Sequence, residues 1–217
     1  MINAILLGPP GSGKGSVAKL IADHYHIPHI STGEMFRKAI AKGSSLGKLA
    51  ASFIDGGNLV PDDVTIALIK ERIQAPDCKK GFMFDGFPRT IPQAEALQTF
   101  LKSIKRPIST VMEFDCNRKE LVRRIKGRLV CSICGTSYHV DTMKPKLSGK
   151  CDHDGGQLIQ RKDDTLEAFN VRLKAYEELT LPLIGFYKAL GLLNPYDGAK
   201  KPIDLFHDVK KHLDVLA

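Results

Sequence analysis

Residues 8–16 read Gly8-Pro9-Pro10-Gly11-Ser12-Gly13-Lys14-Gly15-Ser16. This stretch follows the apolar run Ile2–Leu7, which predicts a buried strand, and it precedes Val17–Ala22, whose apolar residues have helical spacing. A glycine-rich turn between a strand and a helix directs several backbone N–H groups at one point, where the positive end of the helix dipole reinforces them. Lys14 adds a full positive charge, so the stretch predicts a phosphate-binding loop.

One position in this loop departs from the common pattern. Gly15 stands where most phosphate-binding loops have the Ser or Thr that coordinates magnesium, and Ser16 follows one place later. The chain is therefore not expected to be a general nucleoside-triphosphatase of this loop type.

Composition describes an ordinary globular protein with an excess of positive charge. The 217 residues are 43% hydrophobic and 26% charged, and the formal net charge is +8. That charge suits polyanionic partners, of which nucleotides are as good a candidate as nucleic acid. No apolar run approaches the roughly 18 residues that a membrane span needs, and no secretory signal is recognisable, so we expect a cytoplasmic protein without a membrane partner.

The order of elements predicts an α/β fold with a parallel sheet flanked by helices. The predicted strands are Ile2–Leu7, Phe82–Phe84, Thr110–Phe114 and Leu192–Tyr196. Helical patterns lie between them, and the longest runs over Asp163–Leu190. Two segments interrupt the alternation and predict small subdomains: Ser31–Val60, helical and without a clear strand, and Arg128–Gln160.

A second candidate site element follows the strand Phe82–Phe84. Asp85 comes directly after it and could hold magnesium beside the first loop, because ligands of parallel sheets bind at the carboxyl ends of strands. Arg89 lies four residues on, after a turn containing Gly86 and Pro88, and could reach a second phosphate. The plainer alternative is that Asp85 only caps the helix that begins near Thr90.

Further arginines suggest a site for several phosphates. Arg124 and Arg128 are four residues apart and could share a helix face, while Arg161 and Arg172 belong to what is predicted as one segment. Arg37 lies in the first inserted segment. Each arginine alone is expected to be a surface charge. Together with a phosphate-binding loop, however, these arginines suggest that their side chains converge on a single site that binds several phosphates.

Three of the five cysteines form the pattern C-x2-C-x16-C-x2-D over Cys131, Cys134, Cys151 and Asp154. Two short knuckles, each followed by glycine, predict a structural metal site, for which zinc is suited. A disulfide and three free thiols are the alternatives. For the fourth ligand, Asp154 has the spacing, His153 is one place short, and His139 is more distant. The other five histidines, His29 among them, are expected to be surface or satisfied residues.

Four motifs taken together resemble the adenylate kinases, in the form with a long lid that is found in bacteria. They are residues 8–16, Ser31–Arg37, Asp85–Thr90 and Arg161–Asp164, and the resemblance covers essentially the whole chain. It implies the P-loop nucleoside-monophosphate kinase fold: one core over residues 1–217, an AMP-binding insertion at 31–60 and a lid at 128–160. It also implies reversible phosphoryl transfer from MgATP to AMP giving two ADP, a monomer, and a zinc lid with Asp154 as fourth ligand.

The resemblance also implies roles for single residues. Phosphoryl transfer would be served by Lys14, Asp85, Arg89, Arg128, Arg161 and Arg172. ATP would be bound by Gly11, Ser12, Gly13, Lys14, Gly15, Ser16, Arg124, Arg128 and Lys200. AMP would be bound by Thr32, Arg37, Leu59, Val60, Gly86, Arg89, Gln93, Arg161 and Arg172. The acidic pair Asp163 and Asp164 would join the closed site.

Three other functions compete with this interpretation. A kinase of the same fold could use GTP as donor, or UMP or CMP as acceptor. A zinc-ribbon protein that binds nucleic acid would explain the cysteines and the charge, but Val130–Lys150 has one aromatic residue and no dense basic face. A nucleotide sensor without catalysis would not need Lys14, Asp85 and the arginines together.

Overall fold

The computed structural model describes residues 1–217 and contains eight strands in two sheets. The strands are β1 (Ile2–Leu7), β2 (His29–Ser31), β3 (Gly81–Asp85), β4 (Thr110–Asp115), β5 (Arg128–Cys131), β6 (Ser137–His139), β7 (Leu158–Ile159) and β8 (Leu193–Asp197). The main sheet has the order β2-β3-β1-β4-β8, and all its pairings are parallel. The predicted α/β class with a parallel sheet is therefore confirmed.

Strand β1 is the centre of the sheet, and its sequence explains why. All six residues are buried, as expected of a strand with neighbours on both edges and helices on both faces. Its pairing with β3 sets Leu6 opposite Asp85, and its pairing with β4 sets Leu7 opposite Glu113. The glycine-rich loop and Asp85 consequently leave the sheet at the same edge.

Nine α-helices cover the sheet and form its insertions. They are α1 (Lys14–Tyr25), α2 (Thr32–Ala41), α3 (Ser45–Ile54), α4 (Asp62–Ile73), α5 (Ile91–Ser103), α6 (Arg118–Lys126), α7 (Leu166–Ala175), α8 (Pro182–Ala189) and α9 (Pro202–Leu213). None of them is both long enough and apolar enough to cross a bilayer.

Side chains alternate across β1 and build a core on each face of the sheet. Ile5 and Leu7 belong to a cluster with buried residues of α4, α5 and α8. Ala4 and Leu6 belong to a second cluster with residues of α1 and α9. The strand that leads into the site described below is therefore packed against helices on both faces of the sheet.

The second sheet is small and antiparallel, with β5 between β6 and β7. Its core has only four buried residues, Cys131, Tyr138, Cys151 and Leu158. Two of the four are members of the predicted metal site, so the packing that holds this sheet together is built around the cysteines.

The prediction of one helix over Asp163–Leu190 is wrong. Helix α7 begins at Leu166, capped by Thr165, whose hydroxyl accepts from the N–H of Ala168 at 3.1 Å. A π-helical turn at Tyr176–Thr180 then separates α7 from α8. There the N–H of Leu181 donates to Tyr176 O, five residues back, just before Pro182, which has no N–H to continue the regular pattern.

Two expectations about arginine placement are also wrong. Arg124 and Arg128 do not share a helix face, because α6 ends at Lys126 and Arg128 begins β5. Arg161 and Arg172 do not share a helical segment, because Arg161 precedes the Thr165 cap. These arginines are nevertheless brought to one site, by tertiary structure rather than by helical spacing.

Strand β2 was not expected. It has only three residues, His29–Ser31, and three residues are too short to show an alternating pattern. It pairs with β3 so that Ser31 lies opposite Asp85. The missed strand therefore leads directly into the candidate site.

Candidate active site

The glycine-rich loop joins β1 to α1 and depends on glycine at its turns. Gly8 and Gly13 have φ values of +143° and +90°, which L side chains rarely adopt. At Gly8 a Cβ would also lie 2.5 Å from the backbone oxygen of Phe114. Helix α1 begins at Lys14 without a side-chain cap. The backbone N–H groups of Lys14 and Gly15 have no backbone acceptor and remain available to an anion, whereas the N–H of Ser16 donates to Gly13 O at 3.1 Å.

Lys14 lies inside this loop. Its Nζ donates to Gly8 O at 2.6 Å, to Pro9 O at 2.9 Å and to Ser12 Oγ at 3.2 Å. Desolvation lowers the pKa of Lys14 to about 8, although the Asp85 carboxylate opposes the shift. Nearby positive charges lower the pKa further, and they belong to Arg89, Arg172 and Arg128.

Asp85 lies beside the loop, as the shared sheet edge requires. A Cβ on Gly15 would be 3.6 Å from Asp85 Oδ2, so the loop backbone and the carboxylate are neighbours. Burial alone would raise the pKa of Asp85, but the hydrogen bond and charge of His29, with Lys14 and Arg89, hold it at about 2. The carboxylate is therefore ionised and able to hold a magnesium ion or its waters.

His29 is a site residue that sequence reasoning assigned no role. Its Nε2 lies 3.3 Å from Asp85 Oδ2, and this contact raises the pKa of His29 although burial opposes the rise. No local sequence signal marks His29, because it belongs to the three-residue strand β2, whose pairing with β3 sets His29 opposite Met83, two residues before Asp85.

A cleft with about 570 Å³ of space, part of it open to solvent, begins at Gly86, the residue after Asp85. It is lined by eight of the nine residues expected at an AMP site: Thr32, Arg37, Leu59, Val60, Gly86, Arg89, Gln93 and Arg172. The ninth, Arg161, is close enough to Arg37 for the two charges to repel, which with burial lowers the pKa of Arg161 to about 10. Asp163, which was expected to join the closed site, also lines the cleft, together with residues that were not foreseen: Gly33, Phe36, Ile54, Gly57, Asn58 and Thr65.

The turn after β3 is organised by the Gly86 carbonyl. It accepts from Thr32 Oγ1 at 2.8 Å and from Arg89 Nε at 2.8 Å. Gly86 has a φ of +74°, and a Cβ there would lie 2.8 Å from an Arg89 guanidinium nitrogen. The turn thus holds Arg89 between the loop and the cleft.

Positive charge exceeds negative charge between the loop and the cleft. Arg128 donates to both oxygens of Asp164, and Arg172 Nη1 donates to Asp163 Oδ2 at 3.1 Å. Arg37, Arg89 and Arg161 have no ion-pair partner. Burying unpaired like charges is costly, so this arrangement favours ligands with several phosphates.

Arg124 ties the loop to the segment before α9. Its guanidinium donates to Ser12 O at 3.1 Å, to Gly198 O at 2.7 Å and to Ala199 O at 2.9 Å. Its Nε donates to Glu120 at 2.7 Å. The backbone carbonyl of Lys200 is 3.4 Å from the same guanidinium. Arg124 and Lys200 therefore lie together next to the loop, where a role in binding ATP stays a prediction.

The four expected metal ligands come together in the small sheet. The ligand atoms of Cys131, Cys134, Cys151 and Asp154 all lie within 4.8 Å of one another. Cys134 Sγ and Cys151 Sγ are 3.7 Å apart, and two thiolates about 2.3 Å from a tetrahedral zinc would be about 3.8 Å apart. All five cysteines are free thiols, so the disulfide alternative is wrong.

The two competing histidines point elsewhere. His153 Nε2 lies 3.3 Å from Lys19 Nζ, and His139 is engaged by Arg123 O at 3.3 Å and by the Asp141 N–H at 3.1 Å. The donor set of three thiols and one carboxylate fits zinc, which is a borderline-soft ion.

The small sheet contacts the core close to these ligands. Lys19 of α1 donates to Thr136 Oγ1 at 3.1 Å, besides approaching His153. Cys134 Sγ in turn lies 3.1 Å from Thr136 Oγ1. The sheet is therefore docked over the helix that carries Lys14.

Replacing the exposed Cys134 by serine is expected to abolish one equivalent of bound metal and to lower the first thermal unfolding midpoint. In isolated zinc modules, binding of structural zinc contributes about 10 kcal/mol or more to the free energy of folding. Losing even a third of that free energy would lower the unfolding midpoint by on the order of 10 °C. Metal content by mass spectrometry and calorimetric unfolding check this, with Cys116→Ser, outside the cluster, as the control. Full metal content in Cys134→Ser would contradict the site.

Comparisons with known proteins agree with this geometry. A family model described as "Adenylate kinase" matches residues 6–192. The chain is 47% identical over 212 residues to an adenylate kinase of Caldanaerobacter subterraneus subsp. tengcongensis, covering 98% of this chain and 96% of that protein. It is 47% identical to one of Methanothrix thermoacetophila, covering 98% of both chains, and 50% identical to one of Moorella thermoacetica, covering 90% of both.

Proposed function

The chain belongs to the adenylate kinase family, and on that premise we infer that it transfers the γ-phosphoryl group of MgATP reversibly to AMP, giving two ADP. One observation supports this most strongly. The phosphate loop lies close to the cleft, and the charges of Asp85, Arg89 and Arg172 act on Lys14, while Arg89 and Arg172 also line the cleft.

On the donor side, we propose that the loop amides from Gly11 to Gly15 bind the ATP phosphates with Lys14, and that Ser16 lies near the magnesium ion. The positive φ of the loop glycines and the uncapped start of α1 support this. Arg124 and the Lys200 backbone would border the adenine, and Arg128 would reach the phosphates.

On the acceptor side, the cleft would hold AMP with its phosphate toward Arg37, Arg89, Arg161 and Arg172. Leu59 and Val60 would pack along the adenine, and Thr32 and Gly86 would contribute to the wall of the same cleft. The side-chain amide of Gln93 would hydrogen-bond the base. The charge excess in the cleft supports this placement of the phosphate.

The transfer needs position and charge rather than a general base. The phosphate of AMP is ionised at neutral pH, since its second pKa is about 6, so the attacking oxygen has no proton to lose. Lys14, Arg89, Arg128, Arg161 and Arg172 would neutralise charge on the transferring group and align the attack in line, without a covalent intermediate. The arginines paired with Asp163 and Asp164 would be oriented before the phosphates arrive.

The chain has residues suited to bind two metal ions, magnesium with ATP and a structural zinc. Magnesium would be held with ATP near Asp85 and Ser16, and there it supplies charge neutralisation between the phosphates. Asp85 would contribute through its ionised carboxylate, which His29 stabilises. In the small sheet, we propose a structural zinc ion on the three thiols and Asp154.

We further propose that residues 31–60 act as the AMP-binding insertion and residues 128–160 as a lid that excludes water. Docking of residues 128–160 onto Lys19 supports a closed position of this lid. A monomer is proposed because both nucleotide sites are built from one chain. Residence in the cytoplasm is proposed because five free thiols suit a reducing compartment.

The proposed function is tested by ADP formation from purified, metal-loaded protein with magnesium, crossing ATP and GTP as donors with AMP, UMP and CMP as acceptors. We expect activity with ATP and AMP. Activity with GTP and AMP would change the assignment of the donor nucleotide, and activity with UMP or CMP would change the assignment of the acceptor, while the kinase function would stand. No transfer with any pair would overturn the enzyme and favour a nucleotide sensor or a zinc-ribbon binder.

Binding of ATP at pH 8.5 is expected to take up a proton. With a pKa of about 8, roughly three quarters of Lys14 is deprotonated at that pH, and the approach of phosphate raises its pKa. Isothermal titration calorimetry in two buffers of different ionisation enthalpy measures the uptake, expected between about 0.5 and 1 proton per ATP. The Lys14→Arg variant, which stays charged, is expected to take up none. Equal uptake in both proteins would contradict the assignment to Lys14.

A further inference from the structure

Asp62 makes two hydrogen bonds at the border of the AMP cleft. It is the first residue of α4, and its Oδ1 accepts from Gln93 Nε2 at 2.6 Å. Its Oδ2 accepts from the hydroxyl of Thr90 at 2.8 Å. Asp62 does not line the cleft, but Gln93 does, and Gln93 is only 2% exposed.

The side-chain amide of Gln93 has neighbours of opposite character. An ionised carboxylate only accepts hydrogen bonds, so Asp62 requires the NH₂ group on its side. On the other side, the backbone N–H of Arg89 only donates, and it lies 2.8 Å from Gln93 Oε1. The two neighbours together determine which end of the amide is nitrogen and which is oxygen.

Thr90 links Asp62 to the backbone of Gln93. Because the Thr90 hydroxyl donates its proton to Asp62, its oxygen remains to accept the N–H of Gln93, at 3.3 Å. This second bond caps α5, which begins at Ile91. Asp62 thus positions both the amide of Gln93 and the helix turn that carries it.

The amide retains one N–H donor and one oxygen lone pair after these contacts. Adenine offers a ring-nitrogen acceptor beside an amino donor, which is the complementary pattern. Hypoxanthine, the base of IMP, offers an N–H donor beside a carbonyl acceptor at the same edge. A Gln93 amide held in one orientation can therefore form both hydrogen bonds with adenine. With hypoxanthine, its N–H would face an N–H and its oxygen would face a carbonyl oxygen.

We propose that Asp62 is a positioning residue for base selection: through Gln93 it makes the acceptor site discriminate AMP from its deaminated analogue IMP. This rests on the proposed function, in which the cleft binds the acceptor nucleotide. The Asp62→Ala variant removes the acceptor that holds the amide, while Arg89 N–H remains as the only constraint.

Asp63 supplies the matched control. It lies in the same first turn of α4 and carries the same charge, but it is exposed and makes no side-chain hydrogen bond or ion pair. Asp63→Ala therefore removes an equal charge from the helix N-terminus without touching Gln93 or Thr90.

The first test measures kcat and KM for AMP, IMP and ATP. In Asp62→Ala we expect the ratio of kcat/KM for AMP to that for IMP to fall about 10-fold or more, since a correct bidentate base contact is worth about that much. KM for AMP should rise, while KM for ATP should stay within about twofold. Asp63→Ala should match the wild type. An unchanged AMP-to-IMP ratio in Asp62→Ala would overturn the proposal.

A double-mutant cycle with Gln93→Ala separates positioning from general damage to the fold. If Asp62 acts through Gln93, Asp62→Ala has no further effect on the ratio once Gln93 is alanine. An equal loss in both backgrounds would overturn the proposal. AMP and IMP affinities measured by calorimetry on the same proteins need no turnover, so they test the positioning even if the wild type transferred no phosphate. Equal wild-type affinities for AMP and IMP would overturn it as well.

Discussion

Replacing Arg172 by methionine is expected to lower kcat by roughly 10³-fold, because an arginine that meets the transferring phosphoryl group contributes about 10³-fold or more in related transfers. Arg172 lines the cleft that we propose for AMP, and its charge acts on Arg89 and Lys14. Burial lowers its pKa to about 10, chiefly by desolvation, so it remains charged at neutral pH. Initial rates of ADP formation at saturating ATP and AMP measure the loss.

Two further variants make this prediction specific. Arg172→Lys is expected to recover only a small part of the rate, because an ammonium cannot reproduce the planar fork that bonds Asp163 and would bond a phosphate at the same time. Arg118→Met serves as the control, since Arg118 is an exposed arginine of α6 bonded to Asn170 at 2.9 Å. A kcat within about threefold of the wild type in Arg172→Met would exclude Arg172 from the transfer step.

Replacing Lys14 by methionine is expected to lower kcat by about 10²- to 10³-fold, the usual cost of removing one charge-stabilising donor from a transition state. The ammonium lies inside the loop, within hydrogen-bond distance of three loop oxygens, and phosphates would replace those partners. Because methionine fills a similar volume, the fold should be retained. The measurement is kcat together with the affinity for ATP.

The control for Lys14 is Lys188→Met, an exposed lysine in the last turn of α8 without an ion-pair partner. It is expected to keep the kcat of the wild type. If Lys14→Met weakened ATP binding but left kcat unchanged, Lys14 would bind the ground state only, and its assigned role in transfer would be wrong.

The parts of the site that could be predicted are those whose chemistry depends on local spacing. The loop at residues 8–16 and the turn at Asp85–Arg89 each carry their glycines and charges within a few residues, and each follows a buried strand. The cysteine knuckles are local in the same sense. Family resemblance then supplied the acceptor-site residues, most of which line one cleft.

The parts that could not be predicted depend on pairing between distant segments. The contact between His29 and Asp85 requires the three-residue strand β2, whose register no local pattern shows. The bond from Gln93 to Asp62 joins the starts of two helices 31 residues apart in the chain. Arg161 lies outside α7 because Thr165 caps that helix, and helical periodicity alone did not reveal the break.

The most direct test of the account follows the γ-phosphoryl group itself. Protein loaded with metal is mixed with ATP labelled in the γ-phosphate, with and without AMP, and the labelled products are separated. We expect label in ADP when AMP is present and little inorganic phosphate in either case, because the proposed lid would exclude water while the group passes to AMP. Label released as inorganic phosphate at the same rate with or without AMP would contradict it.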